Sequence, residues 1–512
     1  MKKNLTEIDF YGSEPVKAGG MPIISDGRTA YVDADDSHTA IIAISGMKKS
    51  ICGFMPLIRT LAKSCENMIL TDPKGELFNR MAGFLGNQGY KVYCLDFRTM
   101  NKDCFNILHY PAFVYRNDDK SKGLSLLSDI INVLAEDQRN HAKDPFWPDT
   151  GALWLNGTGA IMLDAYPQIE QINILNWSDF NTRSSAEMIE ERVLPLMPDN
   201  TVKAALKQCC SAAENTFRSI LITASSFLAM FNQNPKLAAM LSHSTFTLDD
   251  LTKPKTALFF VTDDTTSTAD PILGMIISQI QSYLINKAFH SKDGKLETRM
   301  NFVLDEFASI PIPNMDKALA THRSRNIRYY LCVQSLALLK KRYEDPEALL
   351  SNCAATMYLG STELELLQQL ETRLGKTYIT ADGSERPLCS QAELMTLEKA
   401  WGYKEAIYMN YSKGIRYCTM LPSIEAYDFG IYPTPKYDMN PPDIQIYTVT
   451  EFVTDVVKER IRVPFRKSEI ISNLEKTENK QKSESSESGE EESALQEEVT
   501  RVFNELFGSL DD

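Results

Sequence analysis

The sequence predicts an α/β chain in which a mostly parallel sheet is interrupted by an all-helical insert. Two observations carry this reading. Short apolar runs alternate with helical stretches on either side of the middle of the chain, the pattern of strands buried on both faces and joined by helices. Between about 111 and 250 the strand signal vanishes and only helical stretches remain.

Residues 1–37 are polar and punctuated by Gly19-Gly20 and Asp26-Gly27, so they read as a short opening segment. Thr39–Ile44, Met68–Thr71 and Val92–Leu95 follow as strands within 38–110, with helices over about 50–64 and 75–88 between them. The insert, 111–250, holds the helical candidates Ser125–Glu136, Ala152–Tyr166, Ala186–Leu194 and Ser211–Phe231. The α/β pattern resumes over 251–450 with Ala257–Val261, Asn301–Leu304, Tyr329–Val333 and Ala355–Leu359. Residues 380–450 mix short strands and turns and read as the closing edge of this domain.

A connecting segment, 451–474, leads into the charged, low-complexity stretch 475–494, centred on Lys482–Glu490. It holds too little apolar surface to fold and is expected to be a disordered linker. Beyond it, over 495–512, Leu495, Val499, Val502, Phe503, Leu506, Phe507 and Leu510 recur at helical spacing among acidic residues. That pattern predicts an amphipathic helix on a tether, which either folds back on the body or docks on another protein.

At 512 residues, 43% hydrophobic and 24% charged, the chain has length for two or three domains and an ample core. No run of about 18 apolar residues occurs, so no spanning helix is predicted. The basic start, Met1-Lys2-Lys3, has no apolar stretch behind it and is not a secretory signal. Ten scattered cysteines without C-x-x-C pairs suggest reduced thiols in a cytosol. Of the net charge of −14, the stretch Ser468–Asp512 carries −9, leaving −5 on the body. That balance argues against a general nucleic-acid coat protein, although a basic channel inside a ring would be hidden in the average.

Two segments carry chemistry. Met300–Leu304 is an apolar strand that runs into Asp305-Glu306, a pair suited to orienting a Mg²⁺ shell and activating water. Ala43–Ser50 reads Ala-Ile-Ser-Gly-Met-Lys-Lys-Ser, which has the Lys-Ser ending of a phosphate-binding loop but only Gly46 of its glycines. Glycines serve there because the backbone takes left-handed conformations and approaches the phosphates closely. Lys48, where the last glycine is expected, must send its side chain out of the cradle or crowd the phosphates. The helix after the loop still offers amide donors to an anion.

Around these segments lie Thr71-Asp72-Pro73-Lys74-Gly75-Glu76, Gly89-Tyr90-Lys91-Val92, Phe105-Asn106-Ile107-Leu108 and Asp144-Pro145-Phe146-Trp147. Leu304-Asp305-Glu306-Phe307-Ala308, Arg323-Ser324-Arg325, Gln334-Ser335-Leu336-Ala337 and Asn352-Cys353 follow in order. From about residue 10 to about 440 this ordered set resembles the TraG-type coupling proteins of conjugative type IV secretion.

The resemblance implies a RecA-like P-loop NTPase domain with an all-α insert, working with ATP and Mg²⁺. It further implies a homo- or hetero-hexameric ring that recruits a relaxase bound to single-stranded DNA and passes it to the secretion channel. By position, Gly46, Lys48 and Lys49 would face the phosphates, with Ser50 and Asp305 on the Mg²⁺ side and Glu306 activating water. Gln334 would sense the γ-phosphate. Arg323 lies where the family places an arginine finger acting across the subunit boundary, with Arg325 as the neighbouring candidate.

Asp72 reads in two ways, as the cap of a helix that starts at Pro73 and as a residue beside the nucleotide. Lys74 and Glu76 face either the nucleotide or solvent. The family usually carries two membrane-spanning helices before the motor domain, and this chain lacks them. A cytoplasmic protein, peripheral at the inner face of the membrane, is expected, with another polypeptide as its anchor or with partners alone holding it there; a truncated start would also account for the difference.

Two functions follow from these residues. One is an ATP-driven coupling protein. The other is a non-hydrolysing adaptor or ring subunit with a degenerate phosphate loop. A DNA-pumping motor of cell division or repair shares the fold class, but the Thr-Asp-Pro-Lys-Gly-Glu and Asp-Pro-Phe-Trp motifs argue against it.

Overall fold

A computed structural model describes residues 5–455 apart from 13, 15, 198–200, 264–268, 379–383, 401, 428–429 and 438–443. The linker 475–494, the helix 495–512 and most of the connecting segment lie outside the described residues.

The opening segment is more ordered than its polarity suggests. β1 (Thr6–Asp9), β2 (Met21–Ser25) and β3 (Thr29–Asp33) form a small antiparallel sheet in the order β1-β3-β2. Its own core is only Ile8, Ala30 and Val32, too few apolar positions to show as periodicity.

The central sheet is built from β4 (Thr39–Ala43), β5 (Asn67–Asp72), β6 (Lys91–Asp96), β7 (Thr256–Val261), β8 (Met300–Leu304), β9 (Ile327–Val333) and β10 (Ala355–Gly360). A short ribbon, β11 (Lys376–Tyr378) and β12 (Glu385–Pro387), precedes the hairpin β13 (Tyr403–Asn410) and β14 (Ile415–Pro422). The order is β14-β13-β10-β4-β9-β8-β5-β7-β6, parallel from β10 to β6 and antiparallel at the closing hairpin. Every residue of β4, β5, β7, β8, β9 and β10 is buried, which is why these strands read as mostly apolar runs, with Asn67, Asn301 and Arg328 among the buried polar exceptions.

Alternate residues of each strand feed two cores. Ile41, Leu70, Val303 and Cys332 face the helices Met55–Lys63 and Glu76–Asn87. Ile42, Ile69, Phe302 and Leu331 face the helix Asp270–Phe289, in a core that continues into the insert. That helix is apolar almost all round and packs so tightly that a methyl group on Gly274 would meet the Pro311 carbonyl oxygen at 2.1 Å.

The insert is helical as expected, with its longest members at Lys120–His141, Phe146–Ala165 and Glu214–Phe227. The stretch at Ala186–Leu194 is broken into short turns ending at Leu194–Leu196, where Pro195 cannot continue an α-helix. Residues 444–455 return from the sheet to the insert. The Tyr447 amide donates to Asn176 Oδ1 at 3.0 Å, and the Phe452 ring lies 4.9 Å from Tyr166 and 5.9 Å from Phe180. All ten cysteines are free thiols. No helix among the described residues is long and apolar enough to cross a membrane.

Candidate nucleotide site

Parallel register brings the ends of four strands to one edge. Ile42 of β4 pairs with Val333 of β9, Leu304 of β8 with Leu331, and Thr71 of β5 with Leu304. The residues just past these strands therefore meet in one crevice at the carboxyl edge, where open α/β sheets bind ligands. The cleft measures about 390 Å³, within the range of small-ligand sites.

The loop after β4 turns sharply, with the Met47 amide donating to the Ile44 carbonyl at 3.3 Å. Gly46 takes φ +80° and Lys48 φ +58°, so two positions use the left-handed region. For Lys48 that conformation costs about 1–2 kcal/mol. Its side chain leaves the cradle and Nζ donates to the Ala400 carbonyl oxygen at 2.6 Å. Residues Lys49–Phe54 then form a π-turn before the α-helix Met55–Lys63, a feature frequent at functional sites.

Lys49 Nζ is bound to Asp305 Oδ1 and lies 3.8 Å from Glu306 Oε1. Burial opposes the charge on Lys49, but the anionic groups around it, Asp305 and Glu306 among them, raise its pKa above the ordinary lysine value. Thr71 Oγ1 donates to the Asp305 carbonyl oxygen at 2.8 Å, fixing the end of β8 to β5. Glu306 has φ +54°, its amide donates to Asp305 Oδ1 at 2.8 Å, and its carboxylate accepts from Gln334 Nε2 at 3.0 Å. Lys49, Asp305, Glu306 and Gln334 are thus one connected cluster, and Gly46, Lys48, Ser50 and Asp72 line the same cleft.

Asp72 acts as a cap in a different way from the sequence reading. The helix does not start at Pro73: it runs Glu76–Asn87, with Gly75 in the left-handed region before it. Asp72 ends β5 instead, and its Oδ2 accepts from the Phe78 amide at 2.7 Å, reaching over the turn. Burial pushes its carboxyl up to about 6; the amides of Phe78 and Leu77 oppose this and the charge of Asp305 adds to it. Lys74 and Glu76 are exposed and border the cleft.

Arg323 is not brought to this cleft. It lies in the turn His322–Arg325, before β9, at the opposite edge of the sheet from Gln334. Its Nε is 3.8 Å from Asp36 Oδ2 and both side chains are about half exposed. Arg325 Nη1 donates to the Gly294 carbonyl. A role for either at a nucleotide requires a neighbouring subunit.

One further residue joins the site without any motif to mark it, and a second feels the charge of Glu306. Lys399 borders the cleft, its Nζ 3.9 Å from where a Cβ on Gly46 would stand. Asp270, at the start of the helix Asp270–Phe289, has its carboxyl raised to about 6, first by burial and, against Arg342, by Glu306. Only the fold reveals them.

The donor set fits a nucleoside polyphosphate with Mg²⁺. A left-handed loop and Lys49 could hold phosphates, and Ser50 and Asp305 could hold the metal. Among the described residues no group of three or more His, Cys, Asp or Glu side chains forms a metal cage. Mg²⁺ needs none, since one or two carboxylates plus substrate phosphates usually suffice.

The sequence profile described as Type IV secretory system Conjugative DNA transfer matches residues 1–410. No curated protein sequence matches the chain. Among solved structures, the chain is similar to the plasmid coupling protein TrwB in complex with ADP and Mg²⁺, at 17% identity and TM-score 0.55, covering 83% of this chain and 92% of that one. TrwB in complex with the non-hydrolysable GTP analogue GDPNP matches at 16% identity and TM-score 0.55, with the same coverage. An unbound monoclinic form of this bacterial conjugative coupling protein matches at 15% identity and TM-score 0.55, covering 83% and 91%. At these identities the structural likeness carries the RecA-like NTPase fold, and the profile carries the family. The chain belongs to the conjugative DNA-transfer family of type IV secretory systems.

Proposed function

We propose that this chain is a coupling protein that binds ATP with Mg²⁺ in the cleft at the end of β4 and uses its hydrolysis to transfer relaxase-bound single-stranded DNA toward the secretion channel. The observation that carries the reading is the cluster of Lys49, Asp305, Glu306 and Gln334, complete in spite of the missing glycines. Lys48, the residue that most threatened the loop, keeps its side chain out of the cradle.

In this reading, bound Mg²⁺ supplies charge neutralisation for the phosphates. Lys49 exchanges its bond to Asp305 for a phosphate oxygen, which frees Asp305 for the metal side. Glu306, oriented by Gln334, takes the proton of the attacking water. Arg323 completes the site from the adjacent subunit of a hexameric ring. The ring holds the DNA strand by its backbone and by base stacking, without sequence preference. The DNA arrives with its relaxase, and an anchor protein ties the ring to the membrane.

The adaptor reading differs in one measurable respect, since it predicts no phosphate release. Nucleotide binding and phosphate release are measured for the wild type, Lys49→Ala and Glu306→Gln, with DNA and ring partners supplied. Turnover by the wild type that is lost in Glu306→Gln supports the motor. Absence of any nucleotide binding by the wild type would sink it.

A further inference from the structure

We propose that Lys399 is a second phosphate-binding lysine of the nucleotide site, delivered by a strap that Lys48 ties to the phosphate loop. The inference rests on the nucleotide reading given above.

Residues 397–400 have no regular secondary structure, yet they are held on both sides of Lys399. The helix before them, Gln391–Met395, is fixed at its start by the reciprocal bonds of Ser390 and Glu393. Lys404 is fully buried on β13, and its Nζ donates to the carbonyl oxygens of Leu397 at 3.1 Å and Glu398 at 3.3 Å. The Glu405 amide donates to the Glu398 carbonyl at 2.9 Å, and the Glu398 amide to Glu405 Oε2 at 2.8 Å. From the other side, Lys48 Nζ donates to the Ala400 carbonyl. Two lysines therefore hold the strap by its carbonyls, and the third, Lys399, extends from it over Gly46.

The charges around this strap ask for an anion. Among the described residues Lys399 pairs with no carboxylate; in the shared cleft Asp305 and Glu306 are engaged by Lys49, and Lys48 lies on the same side as Lys399. The ammonium of Lys404 is disfavoured by burial; the neighbouring Glu405 carboxylate opposes this, and the charges of Lys399 and Lys48 add to it. A polyphosphate at Gly46 would relieve this repulsion and give Lys399 the partner it lacks.

Lys48 and Lys399 then form one device. A glycine at position 48 would suit the left-handed backbone better, but nothing would hold the Ala400 carbonyl. The substitution that looks like damage to the loop is the tether of a replacement cation. Restoring the glycine should weaken binding, the reverse of what repair of a damaged loop predicts.

The test is a titration of the full chain with a ribose-labelled fluorescent ATP analogue and Mg²⁺. Lys399→Ala should weaken binding about tenfold, and Lys399→Arg should stay within about threefold of the wild type. Lys48→Gly should also weaken binding, and adding Lys399→Ala to it should cost less than about twofold more. Thermal melting of each variant verifies the fold, Lys399 being exposed.

If Lys399→Ala binds like the wild type while Lys49→Ala abolishes binding, the second lysine is refuted and the nucleotide site stands. If Lys48→Gly binds as well as the wild type or better, and Lys399→Ala still costs tenfold in it, the tether is refuted. A wild type that binds no nucleotide overturns both this proposal and the reading beneath it.

Discussion

Gln334 Nε2 donates to Glu306 Oε1 at 3.0 Å, joining the end of β9 to the end of β8. Glu306 has a second constraint in its left-handed backbone, so the carboxylate is aimed before any ligand arrives. Gln334→Ala removes the aim but not the phosphate contacts. It should lower the rate of phosphate release about 100-fold while nucleotide affinity changes less than about threefold. Equal losses in both would assign Gln334 to binding instead.

Lys49→Ala should cost stability as well as nucleotide. With side chains only 12% and 8% exposed, Lys49 and Asp305 form a largely buried pair, and removing the cation strands a carboxylate. A loss of roughly 3 kcal/mol is expected in urea unfolding without nucleotide. Lys49→Ala with Asp305→Ala should recover part of it.

Asp72 sets a pH dependence of known sign. Its carboxyl titrates at about 6 in the folded protein against 3.8 in a model peptide, so the folded state holds the proton more tightly. Its contribution to stability is greatest below the lower value and is lost as pH rises through the upper one. Asp72→Asn keeps an acceptor for the Phe78 amide without the charge. Its stability relative to wild type should grow by about 2 kcal/mol between about pH 4 and pH 7. Melting temperatures across that range test it.

His38 works in the opposite direction. Its Nε2 bonds the Leu319 carbonyl at 3.0 Å and its Nδ1 accepts from the Tyr329 amide at 3.2 Å, so the ring is neutral. Burial lowers its pKa to about 3, so its contribution is present above about pH 6.5 and is lost as pH falls. By about pH 4 the wild type should have lost about 3 kcal/mol relative to His38→Gln, read from the same melting series.

The end of the described chain gives a prediction about recruitment. Phe452 anchors residues 444–455 to the insert, and Phe452→Ala should cost about 3 kcal/mol and open that segment to proteases. Deleting 475–512 lies beyond this anchor and should leave thermal melting unchanged while reducing capture of relaxase and channel proteins. Unchanged capture would remove the docking role of the tail.

Legibility in the sequence followed burial. The strands from β4 to β10 were visible because each holds a short, mostly apolar run, and the insert because it lacks such runs. The opening sheet was hidden by its small core of Ile8, Ala30 and Val32. The helix Asp270–Phe289 escaped notice for the converse reason: it is apolar nearly all round and shows no face. At the site, residues tied to motifs were legible, including Lys49, Asp305, Glu306 and Gln334. The helix expected over about 75–88 is found at Glu76–Asn87, whereas the cap reading with Pro73 as first helical residue fails, because Gly75 in the left-handed region precedes Glu76. Lys399 could not be read at all, since only the folding of distant segments brings it to Gly46.

The placing of the helical insert has a consequence for how such proteins can be recombined. β6 and β7 lie side by side and run the same way, so chain leaving Asp96 must travel the full length of the sheet before starting again at Thr256. The whole insert is that return path, grown to domain size. A tight turn could never replace it, because parallel neighbours need a connection of a dozen residues or more. Loop-closure cost grows only slowly with length, so the sheet tolerates a large detour as readily as a small one. The seam between Asp96 and Thr256 is therefore a natural point of exchange, at which a chimera could carry another family member's insert on the same sheet.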